Sequence, residues 1–264
     1  DVTDTAAFDT SDANFKIKGA LTLAAPNGGE VWLVNESRNV TWTRTGSVAN
    51  VKLEYSKNGF ADELQTVVIV ASTPAEPLPA DDAGTYAWTI PDAIGVTTKV
   101  RVTDVTDATV LDLSDANFTI RGSITVTAPN GGEKWTVGSS QNITWTTFGT
   151  IANMKLEYSM DSGATFPVGN LIISSTANTG SYAWTIPDSI AATIRVRVSS
   201  AIDPGSFDVS DADFKIMAGF IVTAPDGGEI WVVGTSRNVT WMTAGTVANV
   251  KLEYSTNGFS DELQ

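Results

Sequence analysis

The side chains able to do chemistry fall into a few repeated constellations. One is an acidic turn, Asp9-x-Ser11-Asp12-x-Asn14, which returns as Asp112-x-Ser114-Asp115-x-Asn117 and as Asp208-x-Ser210-Asp211-x-Asp213. Clustered carboxylate and hydroxyl oxygens are what a calcium ion takes as ligands. That makes Asp112, Ser114, Asp115, Asp208, Asp211 and Asp213 a candidate calcium turn. Against it, the turn lacks the ligand count and the glutamate of an EF-hand. Asp and Ser at such places also bond backbone amides to start a strand. A second constellation is aromatic: Trp32, Trp135 and Trp231 each stand two residues after the Glu of a Pro-Asn/Asp-Gly-Gly-Glu turn. Exposed, these rings form a platform for sugars; packed, they belong to a core. Trp42, Trp88, Trp145, Trp184 and Trp241 fall on apolar alternation and read as core. Finally, Asn39, Asn117, Asn142 and Asn238 each open an Asn-x-Thr sequon, a glycosylation acceptor on a secretory route. The competing reading is that Thr simply occupies the outer faces of strands.

What is missing narrows the chemistry further. The 264 residues include no cysteine and no histidine. Disulfides, thiolate zinc sites and cysteine nucleophiles are therefore excluded. So are Ser-His-Asp triads, imidazole metal sites and a proton shuttle working near neutral pH. With 30 acidic and 16 basic residues the net charge is −14, which opposes binding to nucleic acid and to anionic membrane surfaces. Paired carboxylates could serve a glycosidase, but here the acids recur on turns and strand faces, and repetition argues against a single active site. The expectation is a non-enzyme that needs no cofactor, with calcium the one ion worth testing. No apolar run reaches the roughly 18 to 20 residues of a membrane span. The opening residues Asp1-Val2-Thr3-Asp4 show neither the basic start nor the apolar stretch of a signal peptide.

These constellations ride on an internal repeat. Pro26-Asn27-Gly28-Gly29-Glu30 returns at Pro129 and, with Asp for Asn, at Pro225. Each copy is followed by Asn-Val/Ile-Thr-Trp and Lys-Leu-Glu-Tyr-Ser. In the two full copies Tyr-Ala-Trp-Thr-Ile-Pro follows, before the Ser-Asp turn. The arithmetic leaves complete repeats at 20–122 and 123–219, the end of a repeat at 1–19 and the beginning of another at 220–264. The ending at Gln264 mirrors the stretch ending at Gln65, so two subtypes alternate. The expectation is a window on a much longer array. Within one repeat the apolar period is two. Ile124, Val126 and Ala128 alternate with Thr, as do Ile143 and Trp145. Met154, Leu156 and Tyr158 alternate with Lys155 and Glu157, and Ile194, Val196 and Val198 with Arg195 and Arg197. With Leu171–Ile173, Tyr182–Ile186 and Phe214–Ile216 this predicts seven strands and no helix. The fold expected is all-β: tandem immunoglobulin-like antiparallel β-sandwiches in an extended rod, with junctions as short as Arg121-Gly122-Ser123. If the strand carrying Lys155 and Glu157 pairs with the one carrying Arg195 and Arg197, Glu157 faces an Arg in an exposed charge pair.

The ordered motifs Pro-Asn-Gly-Gly-Glu-x-Trp, Asn-Ile-Thr-Trp, Lys-Leu-Glu-Tyr-Ser, Trp-Thr-Ile-Pro, Arg-Val-Arg-Val and Ser-Asp-Ala-Asn-Phe-x-Ile resemble the immunoglobulin-like repeat of the Kre9/Knh1 family, also called the Ser-Thr-rich GPI-anchored membrane family. The resemblance implies a β-sandwich in secreted or cell-surface proteins and no catalytic residues. Ser159-x-Asp161-x-Gly163-x-Thr165-Phe166 matches the Asp-box pattern, a structural hairpin turn, with Phe where Trp is usual. The functional expectation is a non-enzymatic structural repeat of an extracellular or cell-surface protein, building a stalk, fibre or filament head to tail. Its partners would be copies of itself or neighbouring repeats of a longer chain, with no nucleic acid and no membrane insertion. The alternative is an adhesin or cell-wall glycan-binding module, or an appendage of a larger enzyme.

Overall fold

The computed structural model describes residues 1–75 and 83–260; Asp261–Gln264, the end of the mirrored segment, lie outside the described residues. The chain divides into two compact units: residues 1–122 with 148–150, and residues 123–147 with 151–264. In the first, alternation sets the strands. Val40 and Trp42 point inward from one strand and are buried, while Asn39 before them and Thr43 after them are exposed and Thr41 between them is partly so. The strands are β1 (Ala20–Ala25), β2 (Val31–Leu33), β3 (Ser37–Thr45), β4 (Asn50–Ser56), β5 (Thr66–Pro74), β6 (Ala83–Thr89), β7 (Gly95–Asp104), β8 (Leu111–Leu113) and β9 (Phe118–Arg121). They form two sheets, β1-β3-β6 and β2-β9-β7-β4-β5, with β8 paired to β7. This is the strand order of an immunoglobulin-like sandwich. Leu23, Val40 and Trp42 of the first sheet meet Leu53, Val100, Val102, Phe118 and Ile120 of the second in one buried core.

The second unit repeats the plan. Its strands are β10 (Ser123–Ala128), β11 (Lys134–Thr136), β12 (Ser140–Phe148), β13 (Asn153–Ser159), β14 (Leu171–Ala177), β15 (Ser181–Thr185), β16 (Ala191–Ser200), β17 (Phe207–Val209) and β18 (Phe214–Met217). The sheets are β10-β12-β15 and β11-β18-β16-β13-β14, with β17 on β16. Beyond them, β19 (Gly219–Ala224) and β20 (Thr240–Ala244) pair antiparallel, Gly219 opposite Ala244, as Ala20 lies opposite Thr45. The inward-type side chains of this last segment stay half-exposed. Phe220, Val222, Val239, Trp241, Val250 and Leu252 line an open cavity of about 360 Å³.

Two expectations change. Among the described residues each complete repeat has nine strands, not seven: β11 and β17 are three residues each, too short to show alternation. The sandwich is also not wholly antiparallel. β11 pairs parallel with β18, and β2 with β9. No crossover helix is needed, because the rest of the sandwich makes the connection. The junctions are shorter than expected, since only Gly122 separates β9 from β10 and only Ala218 separates β18 from β19. Among the described residues no helix is long and apolar enough to cross a membrane.

Candidate functional site

The Ser-Asp turn lies against the Gly-Gly turn of its own repeat. In the first unit Ser114 Oγ is buried, donates to Pro26 O at 2.7 Å and accepts from Val100 N at 3.0 Å. Asn27 Nδ2 donates to Asp115 Oδ2 at 2.7 Å, and Asp115 N donates back to Asn27 Oδ1 at 2.8 Å. Asp112 Oδ2 accepts Leu23 N of β1 at 2.7 Å, tying the two sheets together. Glu30 folds its own turn, accepting Asn27 N and Gly28 N at 2.7 and 2.8 Å. The second unit makes the same bonds. Ser210 Oγ donates to Pro129 O at 2.7 Å and accepts Val196 N at 3.1 Å. Asn130 Nδ2 donates to Asp211 Oδ2 at 2.7 Å, and Asp208 Oδ2 accepts Val126 N at 2.8 Å. The turns approach so closely that a Cβ on Gly28 or Gly131 would stand 2.5 Å from the Cβ of Ala116 or Ala212; both glycines also hold φ above 130°.

Six candidate calcium ligands are thereby placed. Asp112, Asp115, Asp208 and Asp211 each accept a hydrogen bond from the turn or strand opposite, and Ser114 is enclosed. Asp213 accepts Arg195 Nε at 2.7 Å and Ser162 Oγ at 2.8 Å. The Arg195 hydrogen bond is the chief cause of its pKa lying below the ordinary aspartate value. Among the described residues no group of three or more acidic side chains is placed to hold a metal ion.

The three turn tryptophans differ in setting. Trp32 and Trp135 are only 7% and 8% exposed. Parallel pairing of β2 with β9 and of β11 with β18 presses each ring into an aromatic cluster. Trp32 meets Trp88 edge-on at 6.0 Å and Phe118 at 5.2 Å, and Tyr55 lies tilted against Trp88 at 5.1 Å. Trp135 meets Trp184 at 6.1 Å and Phe214 at 4.9 Å, with Tyr158 on Trp184 at 5.3 Å. Of the two readings of these residues, packing is what the structure shows at 32 and 135. Trp231 is 43% exposed in the last segment. Asn39, Asn117, Asn142 and Asn238 are all exposed.

One feature of both units combines two sequence motifs. Glu157 faces Arg197 across β13 and β16, with Arg197 Nη2 2.7 Å from Glu157 Oε2 and Lys155 Nζ 2.7 Å from Oε1. The pair is not on an open surface, since Glu157 is 5% exposed. Phe166, the aromatic of the Asp-box turn, covers the guanidinium at 4.2 Å. The first unit matches it with Glu54, Arg101 and Phe60 at 4.5 Å, and Glu63 adds a second carboxylate at 2.7 Å. Burial alone would raise the Glu157 pKa, but hydrogen bonds from Lys155 and Arg197 bring it below the ordinary value. The Asp-box carboxylate, Asp161, is pushed down to about 2, first by the Ser159 hydroxyl and then by Thr165. This lid over an ion pair was not legible beforehand, because Phe166 and Arg197 lie far apart in sequence.

A shallow cleft opens beside each aromatic cluster. Tyr55, Val67, Tyr86, Trp88 and Pro91 line one of about 360 Å³, and Tyr158, Leu171, Tyr182, Trp184 and Pro187 line one of about 370 Å³. Each runs between the edge strands of the two sheets.

No family model matches the chain, and no curated protein matches it. Solved structures do. The chain is similar to fibronectin(III)-like modules of CbhA from Clostridium thermocellum, at 17% identity over 74% of this chain and 94% of that one, with a TM-score of 0.24. It is also similar to the I-band fragment I67–I69 of titin, at 8% identity over 88% of this chain and 90% of that one, with a TM-score of 0.30. A third is the ICAM-5 D1–D4 ectodomain fragment, at 13% identity over 78% of this chain and 56% of that one, with a TM-score of 0.31. Similarity at this level carries no inference about function; the sandwich stands on its own strand order.

Proposed function

We propose that this chain is a non-enzymatic structural part of an extracellular, cell-surface protein, in which tandem β-sandwiches joined head to tail build a stalk, fibre or filament. One observation carries the proposal. The Ser-Asp turn, the Gly-Gly turn and the turn tryptophan of each complete repeat are bonded and packed into their own sandwich, in the same way in both. Ser114 and Ser210 close the sandwich, Trp32 and Trp135 fill it, and the Asp-box aromatic covers an ion pair. A protein whose motifs repeat as packing devices is selected for shape. The single-residue junctions Gly122 and Ala218 favour stiffness, and the exposed sequons suit a secretory route. The resemblance to the Kre9/Knh1 repeat points the same way. Immunogold labelling of thin sections of source cells with antibody against the chain tests the location. Gold outside the cell boundary is expected; gold confined to the cytoplasm would overturn it.

A second reading, cell-wall glycan binding, has one observation in its favour: the Tyr- and Trp-lined cleft present in both units. It predicts heat on titration with wall polysaccharide that disappears in Tyr86→Ala/Tyr182→Ala. No heat with any wall polysaccharide would end it.

A further inference from the structure

Asp188 follows Ile186-Pro187 in the loop after β15. Its carboxylate takes three hydrogen bonds from one residue, Thr246, in the turn after β20. The Thr246 amide donates to Oδ1 and Oδ2 at 3.1 and 2.9 Å, and its hydroxyl donates to Oδ2 at 2.5 Å. Beside it Gly245 holds φ at 92°. A Cβ there would meet Val137 Cγ2 at 3.0 Å, Asp188 Oδ1 at 3.2 Å and Ile190 Cδ1 at 3.3 Å. The first unit, to which residues 148–150 belong, builds the same constellation from other residues. The Thr150 hydroxyl donates to Asp92 Oδ2. Gly149, at φ 87°, is walled by Val34 Cγ2 at 3.0 Å, Ile94 Cδ1 at 3.2 Å and Asp92 Oδ1 at 3.3 Å. Two separate residue sets agree to within 0.1 Å in all three wall distances.

We propose that the Ile-Pro-Asp loop of the 123–219 repeat is a socket for the Gly-Thr turn of the segment that follows it, and that this joint fixes that segment on the sandwich. The inference rests on the tandem-array reading and names its connecting surface. The chemistry of the two halves is complementary. A carboxylate that is otherwise open to water is satisfied by an amide and a hydroxyl from one residue. The neighbouring glycine is favoured because its backbone is in the left-handed region and a Cβ there would crowd the wall of Val and Ile at 3.0 to 3.3 Å. The Thr hydrogen bonds hold both Asp92 and Asp188 below the ordinary aspartate pKa, so the joint is closed at neutral pH. Gly46-Ser47 is a third plug of the same type, with Gly46 at φ 79° and Ser47 exposed. The partner that fits it is the Ile-Pro-Asp loop of another repeat of this kind.

The chain is free of cysteine, so two can be introduced for spin labels without background. Val168→Cys, 90% exposed on the sandwich, and Ser236→Cys, exposed in the last segment, report the joint by double electron–electron resonance. The expected result is one narrow distance peak in the labelled parent. Its width should at least double in Asp188→Ala, in Thr246→Ala and in Gly245→Ala, and Thr246→Ser should stay narrow. Near-ultraviolet circular dichroism checks that the tryptophan core is intact in each. A parent distribution that is already broad, or variants as narrow as the parent, would overturn the joint. Either result leaves the cell-surface labelling untouched, so failure of the joint is distinguishable from failure of the proposed function.

Discussion

Replacing Ser210 by Ala is the sharpest way to ask whether the Ser-Asp turn is a lock or a metal site. Ser210 is 1% exposed, and its hydroxyl bridges Pro129 O and Val196 N. Alanine fits the space and strands both partners: a buried amide in β16 and a buried carbonyl at the Gly-Gly turn. With two buried groups orphaned at about 1 to 3 kcal/mol each, taken near the middle of that range and less a little for the methyl, the loss is about 2 to 4 kcal/mol. At about 1.4 kcal/mol per factor of ten, exchange protection at amides of β16 and β18 should fall about 30- to 1,000-fold. Hydrogen exchange read by mass spectrometry resolves this within one unit and avoids fitting two units to a single unfolding transition. Ser114→Ala should do the same to β7 and β9. Saturating calcium should leave protection in the parent unchanged. A drop below about twofold in Ser210→Ala would refute the lock. So would a calcium-dependent rise in the parent of the roughly 2.7 kcal/mol that a ligand at a hundred times its Kd supplies.

Other expectations follow from the same packing. Arg197→Ala leaves Glu157 buried with only Lys155 opposite; about 2 to 3 kcal/mol should be lost at the amides of β13 and β16 in the same exchange assay, and Arg197→Met with Glu157→Leu should recover most of it. Trp135→Ala should lose about 3 to 5 kcal/mol through the cavity it leaves, with the same exchange assay as readout. Asp161 has its folded pKa lowered to about 2. Its contribution is therefore complete above the ordinary aspartate range and is lost as pH falls through about 2. In Asp161→Asn the Thr165 amide shift should no longer move with acid, as NMR titration would show.

Much of this was readable from residue order. Period-two alternation located the longer strands, such as β12, β13 and β16, because half-buried strands need one apolar and one polar face. The same alternation turned Glu157 toward an Arg of the strand carrying Arg195 and Arg197, and the register of β13 on β16 selects Arg197. The burial of that pair was not readable, because its cover, Phe166, comes from a turn remote in sequence. The settings of Trp32 and Trp135 were left open for a related reason. β2 and β11 are three residues long and pair with strands from the far end of the repeat, so no local signal marks them as inward-facing. The expected rule that sandwiches are antiparallel concealed the same pairs. At the Ser-Asp turn both readings use the same residues, and only the positions of Pro26 O, Asn27 and the Val100 amide decide between them.

As proposed, these sandwiches serve to build length. Electron microscopy of the native protein in its source material tests it most directly. The account predicts filaments or stalks with an axial repeat of one or two sandwiches, about 35 to 40 Å per sandwich from the compactness of a domain this size. Discrete globular particles with no axial repeat would contradict it.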